Sequence, residues 1–267
     1  MTAETSFYDP AMDQICDDLD AEHAALDAIV ADISEDQWST DTPAEGWDVK
    51  DTIVHLIQAD MAASLAVTDP DGFGVAKESV AAGKGLDFFA TSEGKTGAEI
   101  LAFWRAEREK MVAAFRSRGP KDRIPWFGPD MSTLSFATAR LMETWSHGQD
   151  VADTLGAPWP ATDRIKHVCH IGVTPRGWSY VNRGLEFPGG EVRIELTAPS
   201  GAVWTWGPEE APDRLTGSAE EFALVATQRR HPSDTSLQTE GNLAAEWLSI
   251  AQAFAGPPTL PEGRKDS

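Results

Sequence analysis

Residues 133–156 read TLSFATARLMETWSHGQDVADTLG. Apolar side chains recur there at the intervals of a helix, and the run stops at Gly156 with Pro158 just beyond it. Glu143 and His147 stand four residues apart, so on this helix both project from one face, one turn apart. A bidentate metal site on a helix needs that spacing. The same spacing also arises in ordinary structural Glu–His pairs on helix surfaces, so the motif by itself leaves both readings open. Context adds weight to the metal. The pair interrupts the stripe of Leu141, Trp145 and Val151, and polar groups at the edge of an interior need partners.

Upstream, residues 9–34 place Met12, Ile15, Leu19, Leu26, Ile29, Val30 and Ile33 at helical spacing. The segment GWDVKDTIVHL, residues 46–56, opens a second helix that runs to about Ala66, with Asp48 as N-cap. His55 falls in its second turn, between Val54 and Leu56. Residues 68–95, punctuated by Pro70 and five glycines, are expected to form a long connection with a short helix around 75–82. Connections of this length usually carry function. Thr96 caps a third helix with Ile100, Leu101, Phe103, Trp104, Met111, Val112 and Phe115 on its apolar side, ending before Gly119-Pro120. Four amphipathic helices, two of them joined by a long crossover, bury their stripes as a four-helix bundle, and metal sites are often built in such cores from facing helices. His55 then comes opposite Glu143 and His147. Two imidazoles and one carboxylate are a ligand set of catalytic zinc, with positions left open for water or substrate.

Beyond Trp159-Pro160 the texture changes. EVRIELTA and AVWTWG read as strands on either side of the turn at residues 199–201. A helix over 218–229, a short strand near Leu237 and a helix over 242–255 follow. The expected fold class is α+β: a metal-binding four-helix bundle over residues 1–160, a small α+β domain over 161–257, and a frayed tail, 258–267.

The 267-residue chain carries 43 acidic and 22 basic residues, a formal net charge of −21 at pH 7. Such a charge repels nucleic acids and anionic membrane surfaces. No apolar run approaches the roughly 18 residues of a membrane span. The N-terminal MTAETSFYDP lacks the basic and apolar regions of a signal peptide, so a cytoplasmic location is expected. Two cysteines, Cys16 and Cys169, form neither a CxxC pair nor a disulfide framework. Cys169 lies between His167 and His170, which raises metal binding as a possibility, but a buried structural thiol is the preferred reading. Neither these histidines nor His231 has a ligand spacing that pairs with the bundle.

The pieces GWDVKDTIVHL and RLMETWSHGQDVADTLG, on the second and fourth long helices, resemble the DinB-like superfamily and, within it, the mycothiol-dependent maleylpyruvate isomerase group. The resemblance implies a zinc ion held by His55 from one helix and by Glu143 and His147 from the other. It also implies a C-terminal domain similar to sterol-carrier proteins, which residues 162–257 fit in length and texture. In that group an arginine at a matching helix end reaches anionic groups, which here points to Arg229 or Arg230. The local sequence ATQRRHPSD departs from the group's usual Gly-Arg ending, and cations at a helix C-terminus are favoured by the helix dipole in any case.

A free thiol such as mycothiol, with a pKa near 8.5, is only a few per cent ionised at neutral pH, and metal coordination deprotonates it. Water at the same position would give a hydroxide for hydrolysis instead. The resemblance favours a metal-dependent thiol transferase or isomerase acting on a small electrophilic molecule. The alternatives are a metal-dependent hydrolase or lyase, or a non-enzymatic protein binding a metal or small ligand. Asp150 and Asp60, each about a turn from a proposed ligand, are candidate acceptors for an imidazole N–H. Arg140 is a candidate partner of Glu143 or of a substrate carboxylate, with a surface salt bridge as the plainer role. Trp126, with Phe127 and Met131 in the loop before the fourth helix, is a candidate wall for thiol or substrate. Related bundles occur as monomers and homodimers, and either state is expected.

Overall fold

In the computed structural model, which describes residues 9–85 and 90–258, each of the four long helices starts at a side-chain cap. Asp9 accepts a hydrogen bond from the backbone of Ala11 at the head of α1 (Pro10–Val30). A single turn, α2 (Glu35–Trp38), follows. Asp48 caps α3 (Val49–Thr68) through Asp51 N–H at 2.7 Å. Thr96 and Glu99 form a reciprocal capping box on α5 (Gly97–Arg116), and Ser132 caps α6 (Thr133–Leu155). Gly156, at φ 61°, closes α6 in the left-handed conformation that glycine adopts without penalty.

The chain divides into two compact units, Met1–Trp159 and Pro160–Ser267. In the first, the long helices pack in the cyclic order α1, α5, α3, α6, each against two neighbours. Leu19, Leu26, Ile53, Leu56, Ile57, Trp104, Phe115, Leu141 and Trp145 form the core of this ring. Two indoles lie directly on helix backbone where there is no side chain: Trp38 on Gly97, and Trp159 on Gly148, the residue after His147. A Cβ at either glycine would run into the ring.

The connection after α3 is more ordered than its glycines suggest. α4 (Pro70–Ser79) begins eleven residues after Ala59 and well before the expected position 75, because Asp69 caps it and Pro70 occupies its first turn. Phe73 and Ala76 bury its inner face. A π-turn, Val80–Lys84, ends it, with Gly83 at φ 86°. Arg123–Ile124 (β1) and Met131–Ser132 (β2) form a small antiparallel ribbon ahead of α6.

The second unit carries two short helices, α7 (Ile165–Val173) and α8 (Arg176–Val181), which the sequence patterning did not announce. Its sheet has the order β4-β3-β5-β6. β3 (Val192–Thr197) pairs antiparallel with β4 (Val203–Trp206) and parallel with β5 (Asp213–Ser218), which pairs antiparallel with β6 (Gln238–Glu240). β5 was not expected, since DRLTGS is polar and contains a glycine; its central place in the sheet comes from its neighbours. α9 (Ala219–Ala226) and α10 (Asn242–Ile250) both stop short of their expected ends. The chain beyond α10 leaves the helix because Ala253 N–H bonds to Ala226 and the buried Gln252 is held by Ser179 and Arg183. The N-terminal residues 1–8, on which the signal-peptide reading rests, and the tail from 259 lie outside the described residues. No helix among the described residues is long and apolar enough to cross a membrane.

Across α1 and α5, the Asp27 carboxylate takes bonds from Arg105 at 2.6 and 2.8 Å and from Arg108 at 2.7 Å. The Arg105 bond and the second guanidinium hold this carboxyl below its usual range, outweighing burial. Its contribution to stability is therefore present above the unfolded-state pKa near 3.9 and is lost as pH falls through the lower folded value. Asp27→Asn is expected to cost about 1 kcal/mol at pH 7. The gap from the unsubstituted protein should narrow below about pH 3.9, read from urea melts across pH.

Candidate metal centre

α3 and α6 face one another, and their apolar stripes are broken at matching heights. His55 sits in the second turn of α3 and Glu143 and His147 near the middle of α6. One Glu143 oxygen, Oε2, lies 3.7 Å from His55 Nε2 and 3.5 Å from His147 Nε2. One donor atom from each of the three residues falls within 4.8 Å of the others. The imidazole rings meet edge to face, 4.9 Å apart. About a quarter of the His55 and Glu143 side chains stays exposed, and His147 is more enclosed.

Burial pushes the His55 pKa down, with a further push from the neighbouring His147 and only partial relief from Glu143. Burial alone would raise the Glu143 pKa, but the close approach of His147 and His55 outweighs it and holds the carboxyl well below its ordinary value. The cluster thus combines a carboxylate with a neutral-leaning imidazole, the protonation states in which these groups act as donors to a cation.

His147 turns its other nitrogen, Nδ1, to Asp150 Oδ2 at 3.2 Å. A proton held on Nδ1 by that carboxylate leaves the Nε2 lone pair directed at the cluster, the arrangement common behind metal-bound histidines. Trp47 covers both imidazoles, its ring 4.8 Å from His55 and 5.8 Å from His147. Sequence patterning passed over Trp47 although it stands in GWDVKDTIVHL. Its position next to the N-cap was the available signal, but only the folding of the preceding loop brings it over the rings. There Thr42 N–H bonds to the Trp47 carbonyl at 2.8 Å and Asp41 bridges to Asp48.

The donor set fits a divalent cation. Donor atoms in a tetrahedral zinc site are separated by about 3.3 Å, from bonds of about 2.0 Å. Two edges of the cluster are 3.5 and 3.7 Å long and the third spans at most 4.8 Å, within reach of small ring rotations.

The other sequence candidates lie elsewhere than expected. Arg140 is not a surface residue and does not pair with Glu143. Its guanidinium is buried and donates to Asp60 Oδ1 at 2.9 and 3.2 Å, joining α6 to α3. Asp60 is accordingly taken up by Arg140 rather than by an imidazole. Trp126 stacks on Phe73 at 5.7 Å and packs on Phe136 at 4.6 Å, and its carbonyl accepts from Lys77. Phe136 is two turns before Glu143, on the same side of α6. In the second unit, Arg229 and Arg230 follow α9, and their guanidinia donate to the Thr227 and Arg229 carbonyls. Gln228 has φ 60°, and Arg229 N–H reaches back to Leu224 at 2.7 Å, the Schellman ending usually given to glycine. The missing glycine of ATQRRHPSD is thus replaced by a glutamine in glycine's conformation. Cys169 is fully buried, donates to the Ala219 carbonyl, and burial pushes its thiol pKa up. That is a structural thiol.

The sequence profile of the mycothiol maleylpyruvate isomerase N-terminal domain matches residues 19–152, half of the chain. The protein belongs to this family. Membership places it in the DinB-like mycothiol isomerase group, and the match spans α3 and α6, the helices that carry the cluster. A second profile, wyosine base formation, matches residues 188–239. Two uncharacterized proteins of Mycobacterium tuberculosis, from strains CDC 1551 / Oshkosh and H37Rv, are 44% identical over 244 residues, covering 90% of this chain and 95% of theirs. Among solved structures, the mycothiol-dependent maleylpyruvate isomerase and a histidine-to-alanine mutant of it superpose with TM-scores of 0.57 and 0.58. Each alignment covers 90% of this chain and 96% of the other, at 13% and 15% identity. At that identity the likeness establishes the shared fold.

Removing one partner of a buried ion pair strands the other, at a cost of about 3–5 kcal/mol. Asp60→Ala in this family member is expected to fall in that range. Asp60→Ala combined with Arg140→Met should cost less than the sum of the single changes, measured by a double-mutant cycle of denaturant melts.

Proposed function

We propose that the protein is a metal-dependent enzyme that uses mycothiol as a thiol cosubstrate and acts on a small electrophilic molecule by transfer or isomerisation. The observation that carries this is the Glu143 oxygen lying between two imidazole Nε2 atoms, with His147 held from behind by Asp150. His55, Glu143 and His147 would hold the cation, and two nitrogens with one oxygen suit zinc. When bound, such a cation lowers the pKa of a thiol from near 8.5, so that a nucleophilic thiolate is available at neutral pH.

The chain's own residues prepare the site. Asp150 fixes the ring orientation and the tautomer of His147. Trp47 shields both imidazoles from water on one side. The Arg140–Asp60 pair holds α6 against α3 near the ligands and, being already neutralised, is better suited to positioning than to binding an anion. Trp126, on the aromatic cluster with Phe73 and Phe136, is assigned as an apolar wall for thiol or substrate. Arg229 or Arg230 is assigned to an anionic group of thiol or substrate, supported by the Schellman ending that reproduces the glycine geometry at Gln228. The second unit is assigned as sterol-carrier-like on its length and its mixed helix and sheet composition.

Purified protein grown with zinc is expected to contain one divalent ion per chain, and His55→Ala, Glu143→Ala and His147→Ala to lose it, by elemental analysis. Asp150→Asn should weaken metal binding by about 10- to 100-fold. Consumption of maleylpyruvate and of a panel of generic electrophiles should require added mycothiol and should disappear in the three ligand variants. Metal-free wild-type protein under replete conditions would sink the metal assignment. Turnover that is metal-dependent but indifferent to thiol would replace the thiol by water as nucleophile.

A further inference from the structure

The chain after α10, residues 251–256, is tied into the end of α9 and, through it, into the turn that carries Arg229 and Arg230. Side chains of α8 and its C-terminal flank grip this segment from one side. Trp178 Nε1 donates to the Phe254 carbonyl at 2.9 Å, Asn182 Nδ2 to the Gly256 carbonyl at 2.7 Å and Arg183 Nη1 to Gln252 Oε1 at 3.2 Å, while Ser179 Oγ accepts from Gln252 N–H at 3.1 Å. Gln252 is fully buried, and its Nε2 donates to the Phe254 and Gly256 carbonyls at 3.0 and 2.7 Å. The segment is thus folded around one amide whose donor and acceptor ends are both in use.

On its other side the segment meets carbonyls that α9 cannot bond internally. Ala253 N–H donates at 2.7 Å to the carbonyl of Ala226, the last residue of α9. Two positions further, Gln228 has φ 60°, a conformation unfavourable for a residue with a Cβ. Its side chain is buried and reaches into the segment, with Nε2 3.4 Å from the Ala251 carbonyl and 3.5 Å from Gln252 Oε1. These two contacts are long, and the short Ala253–Ala226 bond sets the register that makes them. A glycine would take the same φ freely but would have nothing to hold the segment with. With the turn fixed in this way, the N–H groups of Arg229 and Arg230 both bond back to the Leu224 carbonyl, at 2.7 and 3.2 Å.

We infer that Gln228 and Gln252 are positioning residues for Arg229 and Arg230, acting through the backbone turn that the two arginines share. The inference rests on the reading that one of these arginines takes an anionic group of thiol or substrate. Neither glutamine touches that anion. A guanidinium that meets an anion through two parallel N–H bonds has a narrow geometry, and a displacement of about 1 Å at its base is enough to spoil it.

The test combines residue-resolved hydrogen exchange of the Arg229 amide in the full-length protein with KM for maleylpyruvate at fixed mycothiol. Gln228→Ala keeps a Cβ and loses the reach into the segment, and it should speed exchange at Arg229 by about three- to tenfold relative to amides of α10. KM should rise by a similar factor of about three to ten with kcat within about twofold. Gln252→Leu should do the same. Adding Gln228→Gly to Gln252→Leu should restore slow exchange and KM, because glycine takes φ 60° unaided. A role confined to holding the fold together would leave that loss unrescued. Unchanged exchange at Arg229 in Gln228→Ala overturns the inference whether or not Gln252→Leu folds. If Arg229→Ala or Arg230→Ala raises KM while Gln228→Ala does not, positioning by the glutamines fails and the arginine reading stands. If exchange quickens in Gln228→Ala but neither arginine variant alters KM, the arginine reading itself fails, and the positioning role with it.

Discussion

Glu143 is held as a carboxylate between two helices whose facing surfaces are largely apolar, and the arrangement around it answers that constraint. A carboxylate in such a place is costly without partners. The two imidazole Nε2 atoms stand 3.5 and 3.7 Å from it. On α6 the polar residues Arg140, Glu143, His147 and Asp150 follow one another at intervals of three and four, forming a continuous seam along a helix that is otherwise buried here. Each member has a partner: Asp60 for Arg140, the imidazoles for Glu143, Asp150 for His147. The seam meets its desolvation costs in two groups, Arg140 with Asp60 and Glu143 with His55, His147 and Asp150.

Glycine and tryptophan recur beside this seam. Gly148 follows His147 and leaves room for the indole of Trp159 to lie on the helix, while Trp47 covers the imidazoles from the loop before α3. The Trp47 ring covers one side of the cluster without adding charge, while about a quarter of the His55 and Glu143 side chains stays exposed. A low-dielectric surrounding strengthens both the Asp150–His147 contact and the attraction of the three donors for a cation.

The second unit shows a related economy at its turns. At the end of α9, Gln228 takes the left-handed conformation that a glycine would take, so a helix ending can persist when its usual residue is absent. In the Arg176 loop the guanidinium is fixed by two backbone carbonyls and one aromatic ring, with one nitrogen left over.

Much of the helical unit was legible in sequence because its signals are local. Asp48, Thr96 and Gly156 mark helix ends through bonds made within a few residues, and the spacing of Glu143 and His147 places them on one face of any helix that forms. The α+β class, the four long helices, and the pairing of His55 with a helix-four motif could therefore be read before any coordinates. Other features depended on residues distant in the chain. The Arg140–Asp60 pair joins positions 80 apart, Trp47 reaches the imidazoles only through its loop, and β5 becomes a strand because β3 and β6 offer it hydrogen bonds. Periodicity reports which face of an element is buried, whereas the identity of what lies opposite that face is set by packing. For the same reason the sequence could bring His55, Glu143 and His147 forward as candidates, and the tertiary structure decided that one carboxylate oxygen lies between both rings.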